Sequence, residues 1–252
     1  MKLAKYLTQA GLITILIVLT TKTIWAGDGL TITAGADLVS RYIWRGLMIN
    51  DAPNVQPAMT LATGGLECGV WGSSTLANSN ADDDTYPFAH EVDFWAGYTH
   101  QFDSGLSVGG VVTDYYFPNA GVELGNFNDY DDDEGAGAHT VELGLTFGGP
   151  DSFPIGLSAY ANVHNDEGQN AYFQLDYSTV LDDINFSSFV GAAGGSKKNP
   201  DYYGAEDFQI INLGFTAVKS IFLTEQYSLP VSVSFIMNPN TEVCHLVMGI
   251  SL

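Results

Sequence analysis

The sequence predicts an all-β protein, a single transmembrane antiparallel β-barrel of about 12 strands that follows an export leader. Three observations carry that expectation. Runs of roughly ten residues alternate with a period of two, and Gly, Asp, Asn and Pro separate them. Each clear run has one apolar and one polar face. The connections alternate between tight turns and long loops, which is the rim arrangement of an outer-membrane barrel.

The chain of 252 residues opens with Lys2 and Lys5, an apolar stretch from Leu12 to Leu19, and Ile24-Trp25-Ala26. That succession reads as a cleaved secretory leader over residues 1–26, which leaves 27–252 for the barrel. Removing Lys2, Lys5 and Lys22 reduces the basic residues from 8 to five, against 29 acidic ones. So acidic a chain repels nucleic acid and attracts cations. The expected partners are outer-membrane lipid and small hydrophilic solutes or cations.

The strands are expected at 31–46, 54–63, 65–77, 90–102, 105–117, 138–148, 154–164, 169–179, 183–193, 207–220, 227–238 and 241–252. In the sixth, Val141, Leu143, Leu145 and Phe147 oppose Thr140, Glu142, Gly144 and Thr146. In the seventh, Leu157, Ala159 and Ala161 oppose Ser158, Tyr160 and Asn162; in the eighth, Phe173, Leu175 and Tyr177 oppose Tyr172, Gln174 and Asp176. The runs 105–117 and 183–193 alternate less cleanly. A soluble barrel or sandwich would put the apolar face inside, and a membrane barrel puts it against lipid. Loop lengths favour the latter: Gly64-Gly65, Asp103-Ser104-Gly105, Gly149-Pro150-Asp151 and Leu181-Asp182-Asp183 are tight, whereas 78–89, 118–137 and 194–206 are long. Tyr42/Trp44, Phe94/Tyr98/Phe102, Tyr115/Tyr116/Phe117 and Phe147 are expected in interfacial aromatic girdles.

The segment VSRYIWRGLMINDAPNVQP, Val39 to Pro57, sets two arginines in an apolar run. An arginine facing mid-bilayer lipid costs roughly 2–4 kcal/mol, so strand parity turns Arg41 and Arg45 into the lumen beside Asp37. The same parity makes Glu67, Glu91, Asp93, Glu142 and Asp176 pore-lining. Two readings stay open: a charged constriction in a pore, or a salt-bridged plug that fills the interior.

Little suggests other chemistry. The run Asp129–Glu134 departs from a calcium loop, because Glu134 stands where the turn glycine belongs and Thr140 at the twelfth position. It reads as a solvated or loosely cation-gathering loop, with a defined Ca²⁺ site as the alternative. The five histidines show no metal-ligand spacing, and no histidine partners Ser40 or Ser107 on an outer face. The expectation is therefore a protein that is not an enzyme and has no cofactor or metal. Cys68 and Cys244 fall at opposite rims and are expected as free thiols.

The stretch SRYIWRGLMINDAPNVQPAMTLATGGLECGVWGSS resembles the start of the TorF-type (Gcw_chp) outer-membrane porins. Tyr42, Trp44, Arg45, Gly46, Pro53, Gln56, Gly69, Trp71 and Gly72 carry the match, over about 45 residues. The chain departs from that pattern by ending in Leu252, where such barrels end in an aromatic. The resemblance implies a small barrel porin and transfers no substrate. A porin for passive diffusion, cations preferred, and a plugged structural barrel with acidic loops both fit; a soluble secreted β protein fits less well.

Overall fold

The computed structural model describes residues 24–26, 29–76 and 90–252. Its strands are β1 (Ile24–Ala26), β2 (Leu30–Val39), β3 (Tyr42–Trp44), β4 (Leu47–Asn50), β5 (Asn54–Thr63), β6 (Leu66–Thr75), β7 (His90–Gln101) and β8 (Ser107–Tyr116). They continue as β9 (His139–Gly148), β10 (Ile155–His164), β11 (Ala171–Leu181), β12 (Ile184–Ala193), β13 (Gln209–Phe222), β14 (Ser228–Asn238) and β15 (Val243–Ser251). Twelve of them, β2 and β5 to β15, pair antiparallel with their neighbours in a closed ring. Closure is made by β15 on β2, with Gly249 opposite Val39 and Ser251 opposite Asp37, while β5 takes the other edge of β2. Closing the sheet on itself lets most backbone polar groups of the strands find their partners within the wall.

The burial is inverted relative to a soluble protein. On β9, Leu143 and Leu145 are 50% and 58% exposed, while Glu142 between strand neighbours is 1% exposed. Leu157, Phe173, Leu175, Phe215, Phe235 and Met248 are likewise exposed, and Ser158, Gln174, Asp176, Asn212 and Thr216 are buried. Apolar side chains outside and polar ones inside define a membrane-spanning barrel. Water would penalise that outer face by about 25 cal/mol for each Å² left wet. Cys68 and Cys244 are unpaired and exposed on this outer face.

The short-turn rim holds Gly64-Gly65, the turns near 103–106, 149–154 and 182–183, and the turn at 223–227. The other rim carries the loops 117–138 and 194–208; the long connection at 77–89, with Asp82–Asp84, lies outside the described residues. So does the leader expected over 1–26, apart from Ile24–Ala26, which pair with Leu30–Ile32 on the edge of β2 that β15 leaves open.

One expected strand is shorter than its sequence pattern. The run 31–46 leaves the wall after Val39, with Ser40 the last residue bonded to β15, through Met248. Residues 42–50 then form a hairpin of their own, β3 on β4. Its tip is Arg45-Gly46, with φ of 49° and 81°, the positive pair of a type I′ hairpin turn. A straight strand cannot hold two such residues. Gly46 is also sterically required, since a Cβ there would lie 1.9 Å from the carbonyl oxygen of Ile211.

Candidate functional site: the plugged lumen

The hairpin folds inward and its tip fills the lumen toward the long-loop rim. Arg45 donates from both terminal nitrogens to Glu142 on β9, Nη1 to Oε2 at 2.6 Å and Nη2 to Oε1 at 2.8 Å. Nη1 also donates to the hydroxyl of Tyr203, which comes from the loop 194–208. Tyr115 on β8 donates to Glu142 Oε1 at 3.0 Å. The guanidinium carbon lies 4.6 Å from the ring centroid of Trp44, 4.5 Å from Tyr160 and 4.6 Å from Tyr172. Each such contact is worth roughly 0.5–2 kcal/mol, more where water is excluded. The side chains of Arg45 and Glu142 are 11% and 1% exposed, so this is a buried, bidentate and fully partnered ion pair.

The strand pattern explains why the cage can form. Tyr160 and Tyr172 lie on inward positions of β10 and β11, and small residues opposite make room for them. A Cβ on Gly144 would meet the Tyr160 ring at 2.6 Å. Trp44 stacks on Tyr203 with centroids 5.6 Å apart, so the hairpin and the loop 194–208 close on each other inside the barrel. Tyr42, at the hairpin's base, packs against Trp71 and Ala58, and it hydrogen-bonds Glu91.

The eight residues expected to line a pore divide into groups. Asp37, Arg41, Arg45, Asp93 and Glu142 line one cavity of about 290 Å³, together with Gln56, Thr113, Gln174, Asn212, Ser232 and Ser234. Glu91 and Asp176 are buried on the same inner wall, at 4% and 8% exposure, with Asp176 accepting from Gln174 Nε2 at 2.8 Å. Glu67 faces inward near the short-turn rim. Oδ1 of Asp37 and of Asp93 are buried with no hydrogen-bond partner among the described residues.

Two expectations are corrected. Arg41 is not on a barrel strand; it pairs with Asp51 of its own connection at 3.2 Å, the two side chains 34% and 57% exposed. Tyr42, Trp44 and Tyr115 are not girdle residues: the chain leaves the wall after Ser40, which puts Tyr42 and Trp44 in the plug, and Tyr115 lies on the inner face of β8. Phe94, Tyr98, Phe102 and Phe147 are exposed on the outer face as expected. Tyr203 had no strand parity to reveal it, since it sits in a loop. Tyr160 and Tyr172 did have a signal: each interrupts an otherwise polar face.

Outside the lumen, Asp166 accepts hydrogen bonds from Asn162, Gly168, Asn170 and Asn199. Burial would raise its carboxyl, but the donors of Asn162, Asn199 and Asn170 hold it below the usual carboxylate range. This knot ties the turn 165–170 to the loop that carries Tyr203.

The molecule is thus a twelve-stranded membrane-spanning barrel with a lumen filled toward one rim by an arginine-tipped hairpin. The family model described as "Bacterial protein of unknown function (Gcw_chp)" matches residues 25–227, and the chain belongs to that family. No curated protein matches it. Among solved structures it is similar to the outer membrane protein OprD from Pseudomonas aeruginosa, at 11% identity and a TM-score of 0.37. That match covers 89% of this chain and 65% of OprD, less than two thirds of that longer chain.

Proposed function

We propose that the barrel sits in an outer membrane and serves as a narrow, cation-preferring passage for small hydrophilic solutes, with the Arg45 hairpin as its constriction. The observation that carries this reading is the lumenal cavity of about 290 Å³, into which Asp37, Asp93 and Glu142 face alongside both arginines, neutral polar groups and apolar side chains. Arg45 is neutralised by Glu142 and Arg41 by Asp51, so Asp37, Glu67, Glu91, Asp93 and Asp176 have no facing arginine. Rings of acidic groups in a low-dielectric wall favour cations. The likeness of the first hairpin to TorF-type porins agrees with this. Export would precede insertion: the mature chain is expected to begin near Gly27, and an intact mass that still includes Met1 would defeat that point.

The test is the reversal potential of the refolded protein across a planar bilayer under a KCl gradient, wild type beside Arg45→Gln. Cation preference is expected, fading as the screening length falls toward roughly 3 Å near 1 M salt. Removing the arginine should raise conductance, cation preference, or both. Anion selectivity would refute the field argument.

A second reading, a closed structural barrel, is favoured by one observation: the Arg45 guanidinium is held by Glu142, Tyr203 and three aromatic rings at once. Correctly folded protein that conducts nothing, with or without Arg45, would establish this reading instead.

A further inference from the structure

Part of the connection between β8 and β9 lies against the outside of the barrel. On the outer wall, Asp114 of β8 and His139 of β9 lie on the lipid-facing parity of their strands, the same as Val112 and Leu143. Nδ1 of His139 faces both oxygens of Asp114 at 2.9 and 3.0 Å, and Nε2 faces the carbonyl oxygen of Leu124, within the connection, at 2.7 Å. The imidazole is stacked between Phe127, at 3.9 Å and 8°, and Tyr116, at 5.3 Å and 18°. The segment is folded back over the outside of the barrel and fixed there. Further bonds hold it: Ala138 N–H to Asn126 O at 2.9 Å, Asn165 N–H to Asp129 Oδ1 at 2.7 Å, and Asn165 Nδ2 to Gly137 O at 2.9 Å.

What this fold-back presents outward is apolar. Phe127 gives one ring face to His139 and is still 59% exposed; Leu124 is 54% exposed, and Phe94 on the adjoining β7 is 46% exposed. The patch is continuous with the apolar belt through Phe94, which lies opposite Asp114, and Val112. Its height also fits. His139 is four residues from Leu143 near the middle of β9, which at about 3.3 Å per residue and a tilt of roughly 40° is about 10 Å along the barrel axis. The apolar band of such barrels reaches about 12 Å from its centre. The segment's acidic groups, Glu123 beside Leu124 and Asp131 to Glu134, are exposed and so free to turn to water or headgroups.

We infer that Leu124 and Phe127 form a lipid-docked collar: the connection 117–138 rests on the acyl–headgroup boundary of the surrounding bilayer, braced by the Asp114–His139 pair. The inference rests on the membrane-barrel reading. Placing aromatic and aliphatic groups at that depth is favourable. It also accounts for a carboxylate on a lipid-facing wall, since the collar and His139 shield Asp114 from hydrocarbon.

Spin labels on single cysteines in a Cys68→Ser, Cys244→Ser background test it in lipid vesicles, by relaxation with oxygen against a water-soluble nickel complex. Leu124 suits labelling because its contact to His139 is made by the backbone carbonyl. Leu124→Cys should be oxygen-accessible and nickel-shielded, close to Leu145→Cys in the belt and unlike Asp132→Cys. Adding His139→Ala should move the position 124 signal several-fold toward the Asp132 value while leaving 145 unchanged. Nickel access at 124 with lipid-like behaviour at 145 overturns the collar alone. Nickel access at both positions overturns the membrane reading and the collar with it.

Discussion

Replacing Glu142 by Gln keeps the shape of the side chain and removes the charge that Arg45 faces. The amide can accept from one guanidinium nitrogen, but its own NH₂ then points at another donor. The guanidinium would be left at 11% exposure without a counter-charge. Removing one member of a buried pair typically costs about 3–5 kcal/mol. The rings of Trp44, Tyr160 and Tyr172 remain and keep a share of the attraction, so a loss near 3 kcal/mol is expected. Replacing the whole pair, Arg45→Met with Glu142→Leu, should be nearly neutral, because well-packed apolar groups offset the lost attraction. The assay is equilibrium urea unfolding of the lipid-reconstituted barrel for wild type, Arg45→Met, Glu142→Leu and their double variant, with Glu142→Gln beside them. A coupling above about 2 kcal/mol is expected; additivity within about 0.5 kcal/mol would refute the pair as an energetic unit. Conductance read on the same variants should rise with Glu142→Gln if the pair constricts the lumen.

Arginine at Leu143, Leu145, Leu157 or Phe173 should cost roughly 2–4 kcal/mol of stability or block insertion, and Ser158→Arg should be better tolerated; equal tolerance on both faces would contradict the inside-out burial. Because the Asp166 carboxyl is lowered in the folded protein, its contribution is fully present above the unfolded value of about 3.9 and is lost as pH falls through the lower folded value. Exchange of the Asn170 amide, corrected for its intrinsic rate, should therefore accelerate only in that acid window, and Asp166→Asn should abolish the dependence.

The wall of the barrel was legible because strand parity is a local property. In β9, β10 and β11 the alternation of Leu, Phe and Val with Glu, Ser and Gln states both the period and the face, and a one-residue slip would put Glu142 or Asp176 into lipid. The inward hairpin was not legible by that rule, because its residues also alternate. Tyr42, Ile43 and Trp44 read as a continuation of β2 until Arg45-Gly46 is recognised as a turn, a pairing whose first member rarely adopts positive φ without support. The loop residue Tyr203 and the fold-back of 117–138 depend on contacts between distant segments, and no sequence period encodes those.

The position of Arg45 follows from three separate demands that meet at one residue. A type I′ turn needs positive φ at both tip residues, which Gly46 meets easily and Arg45 only with support. A lumen lined by carboxylates needs a cation somewhere along its wall or it repels itself. A membrane barrel keeps that cation off the outer face. A hairpin tip aimed inward meets all three, since the strain at Arg45 is offset by a bidentate carboxylate and the rings of Tyr160 and Tyr172, which only the lumen wall supplies. Lysine would serve poorly there, because its ammonium cannot bond two oxygens of Glu142 in one plane while lying against three ring faces. On the proposed reading, the charge that limits passage and the contacts that stabilise the plug are one feature, so constriction and stability should change together when either member of the pair is replaced alone.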